Sequence, residues 1–322
     1  MQKTDVLIIG GGPCGLSAAI EIKKMGLHPI VIEKGNIVNA IYQYPTHQTF
    51  FSSSERLSIG GIPFITEERK PKRNQALVYY REVVKRTGIE VRPFETVLAV
   101  EKKEFFEVST SKNTYQAKYV IAATGYYDQP NKLAAEGADL PKVMHYFKEG
   151  HPYFDQDVLV IGGKNSAVDA ALELHKAGSR VTVSYHGPNY SQSVKPWILP
   201  EFDGLVRNGE ITMLFDSLVD RITEDSVELT VNDVKETIPN DFVFAMIGYH
   251  PDHRFLKEMG IVIDPLSGRP EYNEETMETN IEGLFIAGVI AAGNNANEIF
   301  IENGRFHGEQ IARAIAGKES VY

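Results

Sequence analysis

Two glycine-rich segments constrain this chain more than any other feature, because each has the pattern of a turn that binds a dinucleotide. The first is Gly10-Gly11-Gly12-Pro13-Cys14-Gly15 and the second is Gly162-Gly163-Lys164-Asn165-Ser166-Ala167. Each follows a short apolar run and precedes a helical pattern, which is the order expected of a nucleotide-binding βαβ unit. One chain with two such turns is suited to hold a flavin and a nicotinamide, between which a hydride can pass.

Length, charge and cysteine content narrow the class of protein. The 322 residues fit about two domains, and the net charge of −10 argues against a nucleic-acid partner. No apolar run reaches the roughly 18 residues that span a bilayer, so we expect no membrane segment. The single cysteine, Cys14, excludes an internal disulfide and favours the reducing cytoplasm. The nine histidines are scattered along the chain, so we expect no metal site.

The pattern of the first region predicts a parallel sheet with a meander. The expected elements are strand Asp5–Ile9, helix Pro13–Met25, strand Pro29–Glu33, helix Asn74–Arg86, an antiparallel meander over 95–117 and strand Tyr119–Thr124. Strand, glycine turn, helix and strand within such a short span form the unit of a parallel sheet.

The same pattern restarts after a proline-containing break. The expected elements there are strand Asp157–Ile161, helix Ser166–Ala177, strand Arg180–Ser184, helix Trp197–Arg207, strands Ile211–Phe215, Ser226–Thr230 and Phe242–Met246, strand Leu284–Ala287 and a last helix within 296–316. We therefore expect an α/β fold with two Rossmann-like dinucleotide-binding domains, the second inserted into the first. The expected boundaries are 1–126 and 276–322 for the discontinuous domain and 127–275 for the inserted one.

The first glycine turn matches G-x-G-x-x-G with Gly10, Gly12 and Gly15. The first glycine allows the tight turn, the second lets the backbone approach a pyrophosphate, and the third lets helix and strand pack closely. Glu33 ends the next predicted strand, where its carboxylate can accept hydrogen bonds from ribose hydroxyls. These residues predict a dinucleotide site.

The second glycine turn is a variant. Lys164 stands in the place of the middle glycine, while Ala167 is small enough for close packing. No acid follows the next strand, where Ser184-Tyr185-His186-Gly187 stands, so nothing there repels a 2′-phosphate and NADPH is favoured over NADH. The basic side chains expected to pair with that phosphate are Arg180, His186 and Lys195.

Cys14 lies at the start of the first predicted helix. The partial positive charge at a helix N-terminus favours a thiolate and lowers the pKa of the thiol. Such a thiolate attacks a small disulfide and forms a mixed disulfide with it. Two alternatives stay open: Cys14 only packs in the turn, or a disulfide accepts a hydride from the flavin without an enzyme thiol.

Further candidates for flavin contact lie in the long loop after Glu33 and near the last helix. The loop offers Gln43, Thr46, His47, Thr49 and the pair Phe50-Phe51. The segment 293–298 precedes the last helix, whose N-terminus is expected to face the flavin N1–O2 edge. His145 and His307 are isolated in the sequence, and we expect core or surface roles for both.

Several short motifs carry a resemblance to a known group. Ala122-Ala123-Thr124-Gly125 is similar to an A-T-G crossing, 245–251 (Ala-Met-Ile-Gly-Tyr-His-Pro) to a G-x-x-P turn, and 279–288 to a final flavin strand. In this order the motifs resemble those of the thioredoxin-reductase-like flavoproteins. Two departures matter: Gly288-Val289 replaces the Gly-Asp pair of that group, and the absence of C-x-x-C excludes thioredoxin reductase activity.

The first turn, the second turn and Ala287-Gly288-Val289 together resemble the bacillithiol-disulfide reductase family. That resemblance implies an FAD enzyme that uses NADPH to reduce bacillithiol disulfide, a homo-oligomer (dimer or tetramer), and a catalytic role for Cys14. It places FAD in the discontinuous domain and NADPH in the inserted one. The expected cofactor-binding residues are Gly10, Gly12, Pro13, Cys14, Gly15, Glu33, Lys34, Gln43, Thr46, Thr49, Thr124, Gly125, Gly162, Gly163, Asn165, Ser166, Ser184, His186, Lys195, Gly248, Gly288, Val289, Glu298 and Ile299.

Three other functions stay open at the level of sequence. Residues 124–130 and 165–169 are also similar to segments of flavin monooxygenases, although the F-x-G part of their fingerprint is missing before His145. A ferredoxin or flavodoxin reductase also lacks C-x-x-C, but an acidic chain suits an acidic carrier protein poorly. A non-enzymatic alternative is a flavin-bound redox sensor with Cys14 as the oxidisable thiol.

Overall fold

The computed structural model describes residues 1–295 and 297–320. Ala296, with which the predicted last-helix segment begins, and Val321 and Tyr322, with which the first predicted domain ends, lie outside the described residues. The chain divides into two compact units. Unit 1 is Met1–Gln43, Gln48–Gln129 and Tyr249–Tyr322, and unit 2 is Tyr44–His47 and Pro130–Gly248. The predicted α/β fold with a second Rossmann-like domain inserted into the first is confirmed.

The unit boundaries differ from the predicted domain boundaries at residues 44–47, which belong to unit 2, and at residues 127–129 and 249–275, which belong to unit 1. Hydrogen bonds donated by backbone N–H groups of residues 249–275 explain their assignment to unit 1. His250 N donates to Gln129 O at 3.0 Å, and Val262 N donates to Asn280 Oδ1 at 3.0 Å. Hydrophobic periodicity does not report such pairings of irregular chain, so the sequence gives no signal for this boundary.

The N-terminal part of unit 1 contains the parallel sheet and the meander. Its elements are β1 (Gln2–Ile9), α1 (Pro13–Lys24), β2 (Pro29–Glu33), α2 (Asn39–Gln43), α3 (Ser54–Leu57), α4 (Arg73–Thr87), β3 (Glu90–Pro93), β4 (Val97–Lys102), β5 (Phe106–Thr110) and β6 (Thr114–Ala122). Pro13 is the first helical residue of α1, where its missing N–H removes no hydrogen bond. Gly88 ends α4 in the left-handed conformation that favours glycine.

Unit 2 repeats the nucleotide-binding arrangement. Its elements are β7 (Val143–Met144), a 3-10 turn (His151–Tyr153), β8 (Asp157–Ile161), α5 (Asn165–Lys176), β9 (Arg180–Ser184), α6 (Leu199–Arg207), β10 (Ile211–Leu214), β11 (Ser217–Ile222), β12 (Ser226–Val231), β13 (Val234–Pro239) and β14 (Phe242–Ala245). A parallel sheet has the order β10-β9-β8-β14-β7, and β11-β12-β13 form an antiparallel sheet. The core of the unit includes Val158, Leu172 and Phe244.

The C-terminal part of unit 1 completes its sheet and adds a pair of helices. Its elements are α7 (His253–Glu258), β15 (Leu284–Ile286), a 3-10 turn (Val289–Ala292), α8 (Ile301–Gly304) and α9 (His307–Glu319). The sheet of unit 1 has the order β3-β2-β1-β6-β5-β4, and β15 pairs in parallel with β6. No helix among the described residues is both long enough and apolar enough to cross a bilayer.

Helices α1 and α9 cross at very short range because their contact residues are small. A Cβ on Gly308 would lie 2.8 Å from the backbone N and Cα of Ala18. The Ser17 hydroxyl donates to Arg305 O at 2.7 Å, just before α9 begins. The crossing fixes the N-terminus of α9 against the first turns of α1, the helix that follows the first glycine turn.

We expect Gly308→Ala to lower the free energy of unfolding by about 1–3 kcal/mol, because the added methyl group meets backbone atoms that cannot rotate away. Gly317 lies in the same helix, and a Cβ there meets no atom within 4 Å. The control Gly317→Ala should therefore stabilise the protein by about 0.5–1 kcal/mol. Urea unfolding measures both, and equal effects of the two substitutions would contradict the close crossing.

Candidate functional site

The carboxyl ends of four parallel strands bring the predicted residues of unit 1 to one edge of the sheet. Strands β1, β2, β6 and β15 are neighbours in parallel register. The segments that follow these strands begin at residues 10, 34, 123 and 287. Ligands of open α/β sheets bind at this edge, so the structure groups the first glycine turn with Glu33, Thr124 and Gly288.

The first glycine turn has four glycines, of which Gly12 alone faces open space, while a Cβ on Gly11 would lie 3.1 Å from Glu33 Cβ. A Cβ on Gly15 would overlap the carbonyl oxygen of Gly10, and a Cβ on Gly10 would overlap that of Ala123. A Cβ on Gly12 meets no atom within 4 Å. Gly10 and Gly15 are thus required by the fold, whereas Gly12 keeps free the approach to the N-terminus of α1, where a pyrophosphate is stabilised.

Glu33 is buried, and its two carboxylate oxygens tie the first glycine turn to the loop after β2. Oε2 accepts from Gly11 N and Oε1 accepts from Gly35 N, each at 2.7 Å. Each carboxylate oxygen can accept a second hydrogen bond, so Glu33 can also receive ribose hydroxyls as the sequence predicts. Lys34 forms an ion pair with Asp128, and because both side chains are partly exposed the pair contributes little to stability.

Thr124 provides an independent test of whether this edge fits a polar ligand. Its Oγ1 atom is buried and has no hydrogen-bond partner among the described residues. An unpaired buried hydroxyl is unfavourable by about 1–3 kcal/mol, so a ligand that pairs with it gains that energy. Together with the open face of Gly12, the Thr124 hydroxyl fits a dinucleotide at this edge.

The chemistry expected of Cys14 does not match its surroundings. The sulfur lies between two glycines: a Cβ on Gly288 or on Gly304 would be 3.1 Å from Cys14 Sγ. Burial raises the pKa of the Cys14 thiol to about 12. The N-terminus of a helix supplies at most about 2 kcal/mol, or roughly 1.5 pKa units in the opposite direction. The predicted lowering of the pKa is therefore wrong, and the catalytic role of Cys14 stays a prediction.

The turn at Gly288 and Val289 is held by a residue that sequence reasoning missed. Gly288 N donates to His307 Nδ1 at 3.1 Å. Burial lowers the pKa of His307 to about 4, so the ring is neutral at neutral pH and Nδ1 can accept. From the sequence alone an ordinary core or surface role is expected for His307, because no motif links position 307 to position 288.

The remaining predicted residues of the long loop are divided between the two units. Gln43 is exposed at the end of α2 in unit 1, and Thr49 pairs with Lys72 in the same unit. Thr46 belongs to unit 2, where its N–H and hydroxyl both donate to Lys148 O, at 3.0 and 3.4 Å. Contact of these three side chains with a flavin stays a prediction.

Glu298 and Ile299 precede α8, a short helix that the sequence pattern does not distinguish from the last helix, α9. The Glu298 carboxylate pairs with Arg269 and accepts from Asn295 Nδ2 at 3.1 Å. A Cβ on Gly304 would lie 3.1 Å from Ile299 Cγ2, the same distance as from Cys14 Sγ. Ile299 and the Cys14 sulfur thus both lie against Gly304. The Glu298 carboxylate is instead paired with Arg269 and Asn295.

The second glycine turn repeats the first with two changes. A Cβ on Gly162 would lie 2.5 Å from Met246 O, so this glycine is again required by the close approach of the chain that follows the neighbouring strand. A Cβ on Gly163 would overlap the Tyr185 ring. Tyr185 therefore occupies the position relative to this turn that Glu33 occupies in unit 1. Ser166 is exposed in the first turn of α5.

The segment after β9 provides aromatic and basic groups instead of an acid. The rings of Tyr185 and His186 are 4.7 Å apart, and His186 is exposed. Ser184 is buried, and its hydroxyl is hydrogen-bonded to that of Ser217 at 2.8 Å. Ser184 thus braces the fold here, while Tyr185, which sequence reasoning passed over, lines the turn.

Asn165 ties a second loop to the N-terminus of α5. Its Nδ2 donates to Ser193 O and its Oδ1 accepts from Lys195 N, both at 2.9 Å. These bonds hold the backbone of Lys195 next to the N-terminus of α5, and its pairing with a 2′-phosphate stays a prediction. Gly248 follows β14 at the same edge, and its carbonyl oxygen accepts from Asn131 N at 3.0 Å.

Arg180 is not at this edge, and its predicted pairing with a 2′-phosphate is wrong. It is the first residue of β9, at the amino end of the strand, while the glycine turn lies at the carboxyl end. There Arg180 Nε donates to Asp157 Oδ1 at 2.7 Å and Arg180 Nη1 pairs with Asp155 at 2.5 Å. Arg180 is close in sequence to residues 184–187, but the length of strand β9 separates the two in space.

Within residues 1–295 and 297–320, no three His, Cys, Asp or Glu side chains are placed so that they could hold a metal ion.

Comparison with known proteins agrees with this geometry. A model of the pyridine nucleotide-disulphide oxidoreductase family matches residues 7–288. Bacilliredoxin reductase Bdr of Bacillus subtilis is 65% identical over 99% of this chain and 100% of its own length. The solved structure of bacillithiol disulfide reductase Bdr from Bacillus cereus is 65% identical, with a TM-score of 0.97, over 98% of this chain and all of that one. The Staphylococcus aureus structure of the same name is 61% identical, with a TM-score of 0.96, over 99% of this chain and all of that one.

These matches cover almost the whole chain, and they follow the arrangement of turns that the structure shows. They identify an enzyme, a flavoprotein oxidoreductase of the thiol–disulfide type whose family uses a flavin and a nicotinamide. The chain therefore belongs to the pyridine nucleotide-disulphide oxidoreductase family and, within it, to the group of bacillithiol disulfide and bacilliredoxin reductases.

Proposed function

We propose that this chain binds FAD in unit 1 and NADPH in unit 2 and uses NADPH to reduce bacillithiol disulfide to bacillithiol. The observation that carries the proposal is the pair of glycine turns, each at the carboxyl edge of its own parallel sheet. Bound FAD would supply the two-electron relay between the nicotinamide and the disulfide. The reaction consumes one NADPH, one proton and one disulfide and yields NADP⁺ and two thiols.

In unit 1 the chain itself binds and orients the dinucleotide. The open face of Gly12 lets the pyrophosphate reach the N–H groups at the start of α1, and the Glu33 carboxylate accepts hydrogen bonds from the ribose hydroxyls. Thr124 offers a hydroxyl that has no partner among the described residues. FAD is preferred to FMN because FMN has neither a pyrophosphate for the turn nor an adenosine ribose for Glu33.

In unit 2 the choice of NADPH rests on charge. Residues 184–187 include no acid, and His186 and Lys195 lie at the same edge as the second glycine turn. A 2′-phosphate there meets basic groups and no carboxylate on that segment. A charge-assisted hydrogen bond from Lys195 is stronger than a neutral one.

The substrate class is supported by the names of the relatives. Two similar structures are named bacillithiol disulfide reductases, and the Bacillus subtilis relative is named a bacilliredoxin reductase. Bacillithiol disulfide is the first candidate, since a small disulfide brings both of its own sulfurs and needs no C-x-x-C pair. The name bacilliredoxin reductase favours one second candidate substrate, an oxidised bacilliredoxin.

Of three finer expectations, this proposal keeps the homo-oligomer and the cytoplasmic location but not the attacking Cys14 thiolate. Cys14 as the thiol that attacks the disulfide requires a rearrangement, because burial raises its pKa to about 12. We therefore propose that the hydride relay does not depend on a Cys14 thiolate. A homo-oligomer and a cytoplasmic location follow from the resemblance and from the single cysteine.

The direct test is anaerobic consumption of NADPH by the FAD-loaded protein with bacillithiol disulfide, with thiols counted by a colorimetric reagent. We expect two thiols per NADPH for the wild type. Cys14→Ala should retain FAD and keep a kcat within about threefold, because a thiol with a raised pKa supplies almost no thiolate at neutral pH.

The arms of this assay separate the alternatives. Turnover that is lost in Cys14→Ala with FAD still bound would restore the thiol mechanism. Turnover only with oxidised bacilliredoxin would select the protein substrate. NADPH-driven flavin reduction without any thiol product would reject the disulfide reductase and favour a monooxygenase or a carrier-protein reductase.

Nucleotide choice is tested by Lys195→Ala. We expect the KM for NADPH to rise about tenfold or more, because one charge-assisted hydrogen bond to the 2′-phosphate is lost, while the KM for NADH stays within about twofold. The matched control is Arg180→Ala, which removes a cation from the opposite end of β9. An equal effect of the two substitutions, or a Lys195→Ala enzyme with an unchanged KM, would contradict the assignment.

A further inference from the structure

His307 is the first residue of α9, and it is fixed in place by the crossing of α9 with α1. Arg305 O accepts from the Ser17 hydroxyl at 2.7 Å, and Gly308 packs on the backbone of Ala18. From this fixed position the His307 ring reaches the loop after β15, where Nδ1 accepts from Gly288 N at 3.1 Å. The imidazole thus links a helix to a turn at the carboxyl edge of the sheet.

The turn that His307 holds is tightly confined. Gly288 has φ 82° and ψ −155°, a conformation that side chains with Cβ rarely adopt. A Cβ on Gly288 would lie 3.1 Å from both Cβ and Sγ of Cys14, and a Cβ on Gly304 would lie 3.3 Å from Gly288 Cα. Gly288 therefore sits in a slot next to the first glycine turn, and its amide direction is set by its acceptor.

The neighbouring residue makes this acceptor important. Val289 has an apolar side chain, so the polar groups that the pair 288–289 can offer are those of its backbone. A backbone group binds a ligand well only when its direction is fixed in advance. Burial lowers the pKa of His307 to about 4, which keeps the ring neutral and Nδ1 available as an acceptor at neutral pH.

We propose that His307 is a positioning residue: by accepting the Gly288 N–H it fixes the Gly288-Val289 turn beside the first glycine turn in the arrangement that holds the flavin. The inference rests on the proposed binding of FAD in unit 1. It assigns to an imidazole, acting through the backbone, the task of orienting a turn that has no polar side chain of its own.

The test compares His307→Leu with His307→Asn. Leucine has a similar size but cannot accept, whereas Asn Oδ1 is as many bonds from Cβ as His Nδ1 and can take its place. We expect FAD binding about tenfold or more weaker in His307→Leu, because a buried N–H loses its acceptor, and within about threefold of the wild type in His307→Asn. The matched control is His28→Leu, a half-exposed histidine of unit 1 that pairs with Glu90.

Two readouts do not depend on turnover. Flavin fluorescence on titration of the flavin-free protein gives the Kd, and ¹⁵N NMR of the wild-type imidazole should show the neutral Nε2–H tautomer at pH 7, because Nδ1 is the acceptor. If His307→Leu fails to fold by circular dichroism, His307→Gln replaces it, since its amide oxygen lies one bond further out and should miss Gly288.

The outcomes are distinct. Loss in His307→Leu with recovery in His307→Asn, and a wild-type Kd for His28→Leu, supports the proposal. FAD binding unchanged in His307→Leu, equal loss in the Leu and Asn variants, or an Nδ1–H tautomer would overturn it. A wild-type protein that binds no FAD would overturn the proposed function as well, which a variant-specific result does not.

Discussion

The whole arrangement depends on how closely one main chain can approach another at the first glycine of each turn. In unit 1 the chain leaving β6 places Ala123 O directly against Gly10, and in unit 2 the chain leaving β14 places Met246 O against Gly162. In each case the neighbouring parallel strand ends where the turn begins. A side chain at that position would push the strand ends apart, and the loops that line each edge would no longer converge.

The two units differ where the ligands are expected to differ. The third turn position is Gly15 in unit 1, where a Cβ would overlap Gly10 O, and Ala167 in unit 2, where the Cβ is accommodated 3.3 Å from a Cβ built on Gly162. Position two is the open Gly12 in one unit and the exposed Lys164 in the other. A shared backbone solution thus supports two sites of different charge and shape.

The sequence predicted best those elements whose residues are buried in a regular pattern. Strand Pro29–Glu33 has its predicted bounds because all five of its residues are buried. Strand Val234–Pro239 was not predicted, because its side chains are almost all exposed and leave no alternation to detect. Patterning reports burial, and an exposed edge strand is specified by its partner instead.

Site residues followed the same division. The glycines and Glu33 were predictable because a local motif places them on a strand end. Arg180 was misplaced because nearness in sequence ignores the length of the strand, and the pKa of Cys14 was misjudged because the packing of Gly288 and Gly304 on its sulfur involves distant parts of the chain. The role of His307 was missed for that reason too.

The central claim is that the open face of Gly12 is where the FAD pyrophosphate lies. It is tested most directly by titrating FAD into flavin-free wild type and Gly12→Val, with Gly317→Ala as the control. Gly12 has φ −74° and ψ 174°, which valine also adopts, and a Cβ there meets no protein atom within 4 Å. We expect an unchanged Tm for the flavin-free Gly12→Val protein. FAD binding should be weakened by about 100-fold, because the valine side chain fills the approach to the amides of α1. A Gly12→Val protein that binds FAD as tightly as the wild type would contradict it.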